Sequence, residues 1–125
     1  MAVWFLRIAV LYLIVGVILG WIFGITDHLG YANIHAHINL LGFATFAIAG
    51  IIYRLYPEAD NRLAVAQFWL QNIGLIVFMI GLAIIDSGGP NGVPPTAIGS
   101  LIAIAAVAIF AVNVWRNVPA GKRNA

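Results

Sequence analysis

Four long apolar runs decide what this chain can become. They cover residues 3–25, 34–56, 63–85 and 96–115, which is 89 of 125 residues, and they contain only two charges, Arg7 and Arg54. A bilayer core of about 30 Å is crossed by roughly 20 residues of α-helix, and by about half that number in a strand. In lipid every backbone N–H and C=O must be satisfied within the protein, so runs of this length are helical. The expected fold is therefore all-α, a single transmembrane domain over residues 1–125 formed by a four-helix bundle. The first run is too long for a signal peptide, lacks a small-residue cleavage site and is followed by further spans, so it reads as a retained helix.

Charge supports the same conclusion. Only 8% of the chain is charged, six basic and four acidic residues, where a soluble domain carries about 25%. Ten charges cannot cover a globule of this size, and a disordered chain would be more polar still. There is no cysteine, which removes disulfides, thiolate metal sites, covalently attached haem and thiol catalysis together. The net charge of +2 sits at run ends, so nucleic acid is not an expected partner.

The connections are short. Residues 26–33 join the first pair, 57–62 the second and 86–95 the third, and none can hold a soluble domain. Pro57 stops the second helix, and the DSGGPNGVPP sequence of 86–95 reads as a non-helical loop. Arg7, Arg54, Arg62, Arg116, Lys122 and Arg123 all fall on one side of a four-span protein, while the other side carries only Asp27 and Asp86. By the positive-inside rule both termini are expected in the cytoplasm, in an inner (cytoplasmic) membrane. Trp4, Trp21, Trp69 and Trp115 lie near span ends, where interfacial belts form.

That orientation puts His28, His35 and His37 toward the outer face. Asn33 is a plausible N-cap starting the second helix near Ile34, which places His35 and His37 about one turn inside the membrane. Ionisable side chains there are costly and mark functional candidates, although a single histidine is often a hydrogen-bonded packing residue. Two residues apart on a helix means about 200° around its axis, so His35 and His37 cannot share one metal ion but can serve two sites. Neutral imidazole in an apolar bundle suits haem iron. An extended backbone would instead put both on one side, where they could chelate copper or zinc with His28.

Other polar and small residues have ordinary readings too. Gly16, Gly20 and Gly24 form a GxxxGxxxG ridge, expected to pack within the chain. Gln67, Gln71, Gly74, Phe78 and Gly81 share a stripe on the third helix, beside Asn72, and Asn113 is the one strongly polar inner residue of the fourth. Amides in lipid serve first as interhelical glue. Phe43, Phe46, Phe68 and Phe78 are more often core than a porphyrin face. Hydrolase, P-loop and dinucleotide motifs are absent, as is the charge pattern of a channel or proton relay.

The stretch from His35 through Ala36, His37, Ile38, Asn39, Leu40, Leu41, Gly42 and Phe43, ending in Tyr53-Arg54-Leu55-Tyr56-Pro57, resembles the second transmembrane helix of the haem–copper oxidase superfamily. It is most similar to the nitric-oxide-reductase and cbb3-type branches, where His-x-Asn opens that helix. The resemblance covers about 25 residues. It implies that His37 is an axial ligand of haem b, with His35 and Asn39 beside it. The family's large subunit has twelve helices in a pseudo-threefold ring, and this chain is similar to one four-helix repeat of it. The implied assembly is a homo-oligomer, a homotrimer, with haem between His35 of one subunit and His37 of the next. No counterpart exists for the copper-binding histidines, the oxidase tyrosine or the reductase glutamates, so an electron-transfer or respiratory accessory role with a quinol or cytochrome partner is implied rather than gas reduction. Beside this stand two alternatives: a copper or zinc module built on His28, His35 and His37, and a cofactor-free structural or assembly subunit.

Overall fold

The computed structural model describes residues 1–121, and these are all-helical with no strand. Lys122 and Arg123 lie outside the described residues. Four helices are long and apolar enough to cross a membrane: α1 (Ala2–Ile25), α2 (Leu29–Leu55), α3 (Arg62–Asp86) and α4 (Val93–Asn117). Alternate helices run in opposite directions. The start of α1, the α2–α3 connection and the end of α4 therefore meet at one end, here called proximal. The terminal ammonium of Met1 donates to Asp60 Oδ2 at 2.8 Å, Asn61 Nδ2 donates to Asn113 Oδ1 at 3.0 Å, and Asn113 Nδ2 donates to the Ala59 carbonyl at 2.8 Å.

Two boundaries differ from the sequence expectation. Helix α2 starts five residues earlier, with a 3-10 turn at Leu29–Tyr31 leading into α-helix at Ala32. Asn33 is thus inside the first α turn and does not cap it; Tyr31 stands at the cap position without a side-chain hydrogen bond. The second difference is Pro94 and Pro95, which belong to the first turn of α4 rather than to the loop. Proline is tolerated there because first-turn N–H groups have no intrahelical acceptor. Asn61 caps α3, its side chain accepting from Leu63 N–H at 2.8 Å.

The helices pack as two hairpins. In the α3–α4 hairpin the backbones nearly touch. A Cβ on Gly74 would lie 2.7 Å from the Ala103 backbone nitrogen, and one on Gly99 would overlap the backbone of Phe78. In the α1–α2 hairpin, glycines instead receive side chains. The hairpins join through an aromatic core in the proximal half, where Phe5 meets Phe46, Tyr53 and Phe68 with ring centroids 5.4, 5.2 and 5.2 Å apart. Tilted and edge-on rings at such separations attract beyond simple contact.

Amides thread this core. Tyr53 donates to Gln67 Oε1, Gln67 Nε2 to Gln71 Oε1 at 3.2 Å, and Gln71 Nε2 to the Leu41 carbonyl at 2.9 Å. Asn113 Nδ2 reaches the Tyr53 hydroxyl at 3.2 Å, and Asn117 Nδ2 reaches Asn113 Oδ1 at 2.8 Å. Gln67, Gln71 and Asn113 are fully buried, so their amides are satisfied within the protein, by one another, by Tyr53, Asn61 and Asn117, and by the backbone.

Outside the spans, Asp60 holds the proximal end together. Burial pushes its carboxyl up, but the Ala2 N–H, the hydrogen bond from the terminal ammonium and that group's charge more than offset this, leaving it below the ordinary carboxylate value of 3.8.

Candidate functional site

The N-terminal half of α2 carries the histidines, and its geometry separates them. His35 and His37 are both in regular α-helix, so the extended chelate does not form. His35 turns to α1, where a Cβ on Gly20 would come within 3.1 Å of its Nδ1. Asn39, one turn further on, turns the same way and fills the space over Gly16; its Oδ1 is buried without a hydrogen-bond partner. Two of the three ridge glycines thus seat polar side chains of α2 within the chain. Gly24 has nothing within 4 Å of where its Cβ would stand.

His37 turns the other way, toward α3 and α4. Its ring meets Phe78 edge-on, with centroids 5.0 Å apart and planes at 84°. It lines a groove of about 330 Å³ with Leu40, Leu41, Phe78, Ala103 and Ile104, apolar apart from the imidazole and the Ser100 hydroxyl. That hydroxyl donates to Ala97 O at 2.9 Å.

The tautomer of a neutral His37 follows from one bond. Its Nδ1 lies 2.7 Å from the Asn33 carbonyl. A carbonyl only accepts, so Nδ1 carries the hydrogen and the neutral ring keeps its lone pair on Nε2. The same Nδ1–H to carbonyl contact orients metal-bound imidazoles and raises their basicity. Asn33, expected as a cap, acts instead through its main-chain oxygen.

His28 stands apart, exposed beyond the end of α1 and tilted against Tyr31 at 6.1 Å. Among the described residues no three His, Asp or Glu side chains come together closely enough to hold a metal ion. The sequence grouping of His35, His37 and Asn39 therefore resolves into His37 on one flank of α2 and the His35–Asn39 pair on the other.

The backbone under His37 is unusual. Residues Ile38–Ala44 form a π-helical segment. Thr45 N–H, which in an α-helix would bond the Leu41 carbonyl, reaches back to Leu40 O, and the Thr45 hydroxyl adds a second bond there at 2.9 Å. The released Leu41 carbonyl takes the amide of Gln71. Such π segments are rare and recur at functional sites.

Tyr53 was not among the residues singled out for chemistry, yet it is the hinge of the buried amide chain. Its spacing, four residues beyond Ala49 and seven beyond Phe46 on one helix face, was the available signal. A second polar pair, Tyr12 hydroxyl to Asn72 Oδ1 at 2.8 Å, borders an apolar groove of about 460 Å³ between α1 and α3.

No protein-family model, curated protein or solved structure matches this chain.

Proposed function

We propose that this chain is an integral membrane protein that binds b-type haem, with His37 as an axial ligand, in an electron-transfer or respiratory accessory role. One observation carries the proposal: the His37 ring is fixed by its Nδ1 contact with the Asn33 carbonyl, which leaves Nε2 as the nitrogen a metal could take, and the ring lines an apolar groove. The donor is the right one for haem iron, and the surroundings are those a porphyrin tolerates. Leu40, Leu41, Phe78 and Ala103 would hold its apolar surface. When bound, haem would supply one-electron chemistry, while the chain's own task is to orient the ligand and exclude water. The His-x-Asn resemblance to the haem–copper oxidases supports the same residue.

The groove offers no second nitrogen ligand. His35, on the opposite flank, is half-buried over Gly20 and would serve a neighbouring copy. A closed ring of identical subunits, a homotrimer on the oxidase resemblance, would pair His37 of each copy with His35 of the next. Basic residues clustered toward the proximal end support cytoplasmic termini and an inner membrane, with a quinol or cytochrome as redox partner.

The test is an absorbance spectrum of the protein purified in mild detergent, with and without dithionite. Sharp reduced α and Soret bands are expected, abolished by His37→Ala and altered by His35→Ala. Bands that survive both substitutions would remove the ligand assignment. A colourless protein after expression with adequate haem would leave the cofactor-free structural subunit. Native mass spectrometry showing only monomer would end the shared site.

A further inference from the structure

His37 faces its groove only because α2 contains one residue more than a regular helix would. The aromatic core fixes the proximal part of α2 through Phe46, Ala49 and Tyr53, all buried. If the π segment above it closed into α-helix, the distal part would turn by about 100° and shift by about 1.5 Å, one residue's worth. Ile38 would then occupy the place of His37. In the structure Ile38 instead points to the other side, into the α1–α3 groove beside Tyr12 and Leu75.

What keeps the segment open is the fate of the Leu41 carbonyl. In the π arrangement it loses Thr45 N–H, and a bare carbonyl deep in an apolar span has no water to satisfy it. Gln71 supplies the missing donor from α3, and Gln67 and Tyr53 hold Gln71 in turn. We propose that Gln71 is a positioning residue: by holding the Leu41 carbonyl it keeps the π segment open and so sets His37, rather than Ile38, in the groove. The inference deepens the haem proposal, whose ligand it orients, but its geometry can be tested without haem.

The absence of cysteine makes that test clean. Two double variants are made, His37→Cys with Phe78→Cys and Ile38→Cys with Phe78→Cys, and each is treated in membranes with a short bifunctional thiosulfonate. The 37–78 pair links and the 38–78 pair does not. Adding Gln71→Leu, similar in size but without a donor, reverses the preference. Deleting Leu40, which is exposed to lipid, removes the extra residue and closes the α ladder without turning His37. The 37–78 link therefore persists in the deletion alone and returns when the deletion is combined with Gln71→Leu. An unchanged pattern in Gln71→Leu, or loss of the 37–78 link in the deletion alone, would overturn the proposal. If Gln71→Leu does not accumulate, Gln71→Met, equal in length and also without a donor, takes its place. In haem-loaded protein the reduced bands are lost in Gln71→Leu; because Leu40 also lines the groove, the deletion is read by cross-linking alone. If no variant, nor the parent, ever shows haem bands, the functional proposal fails while the cross-links still judge Gln71.

Discussion

The two halves of the bundle are closed by different means. In the proximal half Phe5, Phe46, Tyr53 and Phe68 interlock, and the Tyr53 hydroxyl links Asn113 to the Gln67–Gln71 pair among them. In the distal half the buried positions of the helix seams are largely glycine: Gly16, Gly42, Gly81 and Gly99. The proximal half gains its order from large rings in contact. The distal half brings backbones and polar side chains close while leaving grooves beside them. Open space and rigid packing are thus assigned to opposite ends of the same helices.

Substitutions can break that contrast, and the largest effect belongs to the aromatic core. Phe46→Ala should cost roughly 3 kcal/mol, the low end of the range for such truncations because lipid takes the place of water outside the protein; steric-trap or denaturant unfolding in detergent measures it. Gly99→Ala comes next, at about 2 kcal/mol, because its Cβ would meet the Phe78 backbone, which cannot rotate away. Its signature is separation of α3 from α4, read as increased cross-linking distance between them. Gly16→Ala should cost about 1 kcal/mol or less, since the neighbour is the far end of Asn39, which can swing out. Haem bands assigned to His37 should not move. If Gly16→Ala costs as much as Phe46→Ala, the distal half is as rigidly packed as the proximal one and the contrast falls.

The smallest effect concerns Asp60. Its carboxyl lies below 3.8 in the folded protein, so the stability it contributes is present above that value and is lost as pH falls through its lowered value. Asp60 is about a quarter exposed, at the end of the bundle where water reaches the ion pair, so screening leaves about 0.5 kcal/mol or less. Asp60→Asn should remove the acid-range slope and leave stability at pH 7 almost unchanged, which a pH series of unfolding curves would show.

Much of the bundle was legible because length and apolarity alone set a membrane helix. The number of spans, their approximate extents and the glutamine stripe on α3 all appear in the residue pattern. The ends were harder. Asn33 has the chemistry of a cap, but a 3-10 turn starting at Leu29 carries the helix past it. Pro94 and Pro95 look like a loop until they occupy first-turn positions, where proline fits. The π segment left no trace, because one extra residue changes neither hydrophobicity nor composition. Asn39 parts from His37 by ordinary helix spacing, two residues being about 200° apart, but which neighbouring helix each flank meets depends on the register that the insertion sets, and the pattern alone does not carry it.

The groove beside His37 has Leu40 and Ile104 on its rim, both more than 60% exposed, in the middle of helices apolar enough to cross a membrane. Its mouth in that setting opens sideways among acyl chains, not upward into water. Whatever reaches His37 must first dissolve in the bilayer, so occupancy depends on the visitor's partition coefficient as much as on its affinity. An oil-soluble molecule at trace aqueous levels would be concentrated at this doorway, while a hydrophilic one of equal intrinsic affinity would scarcely visit it.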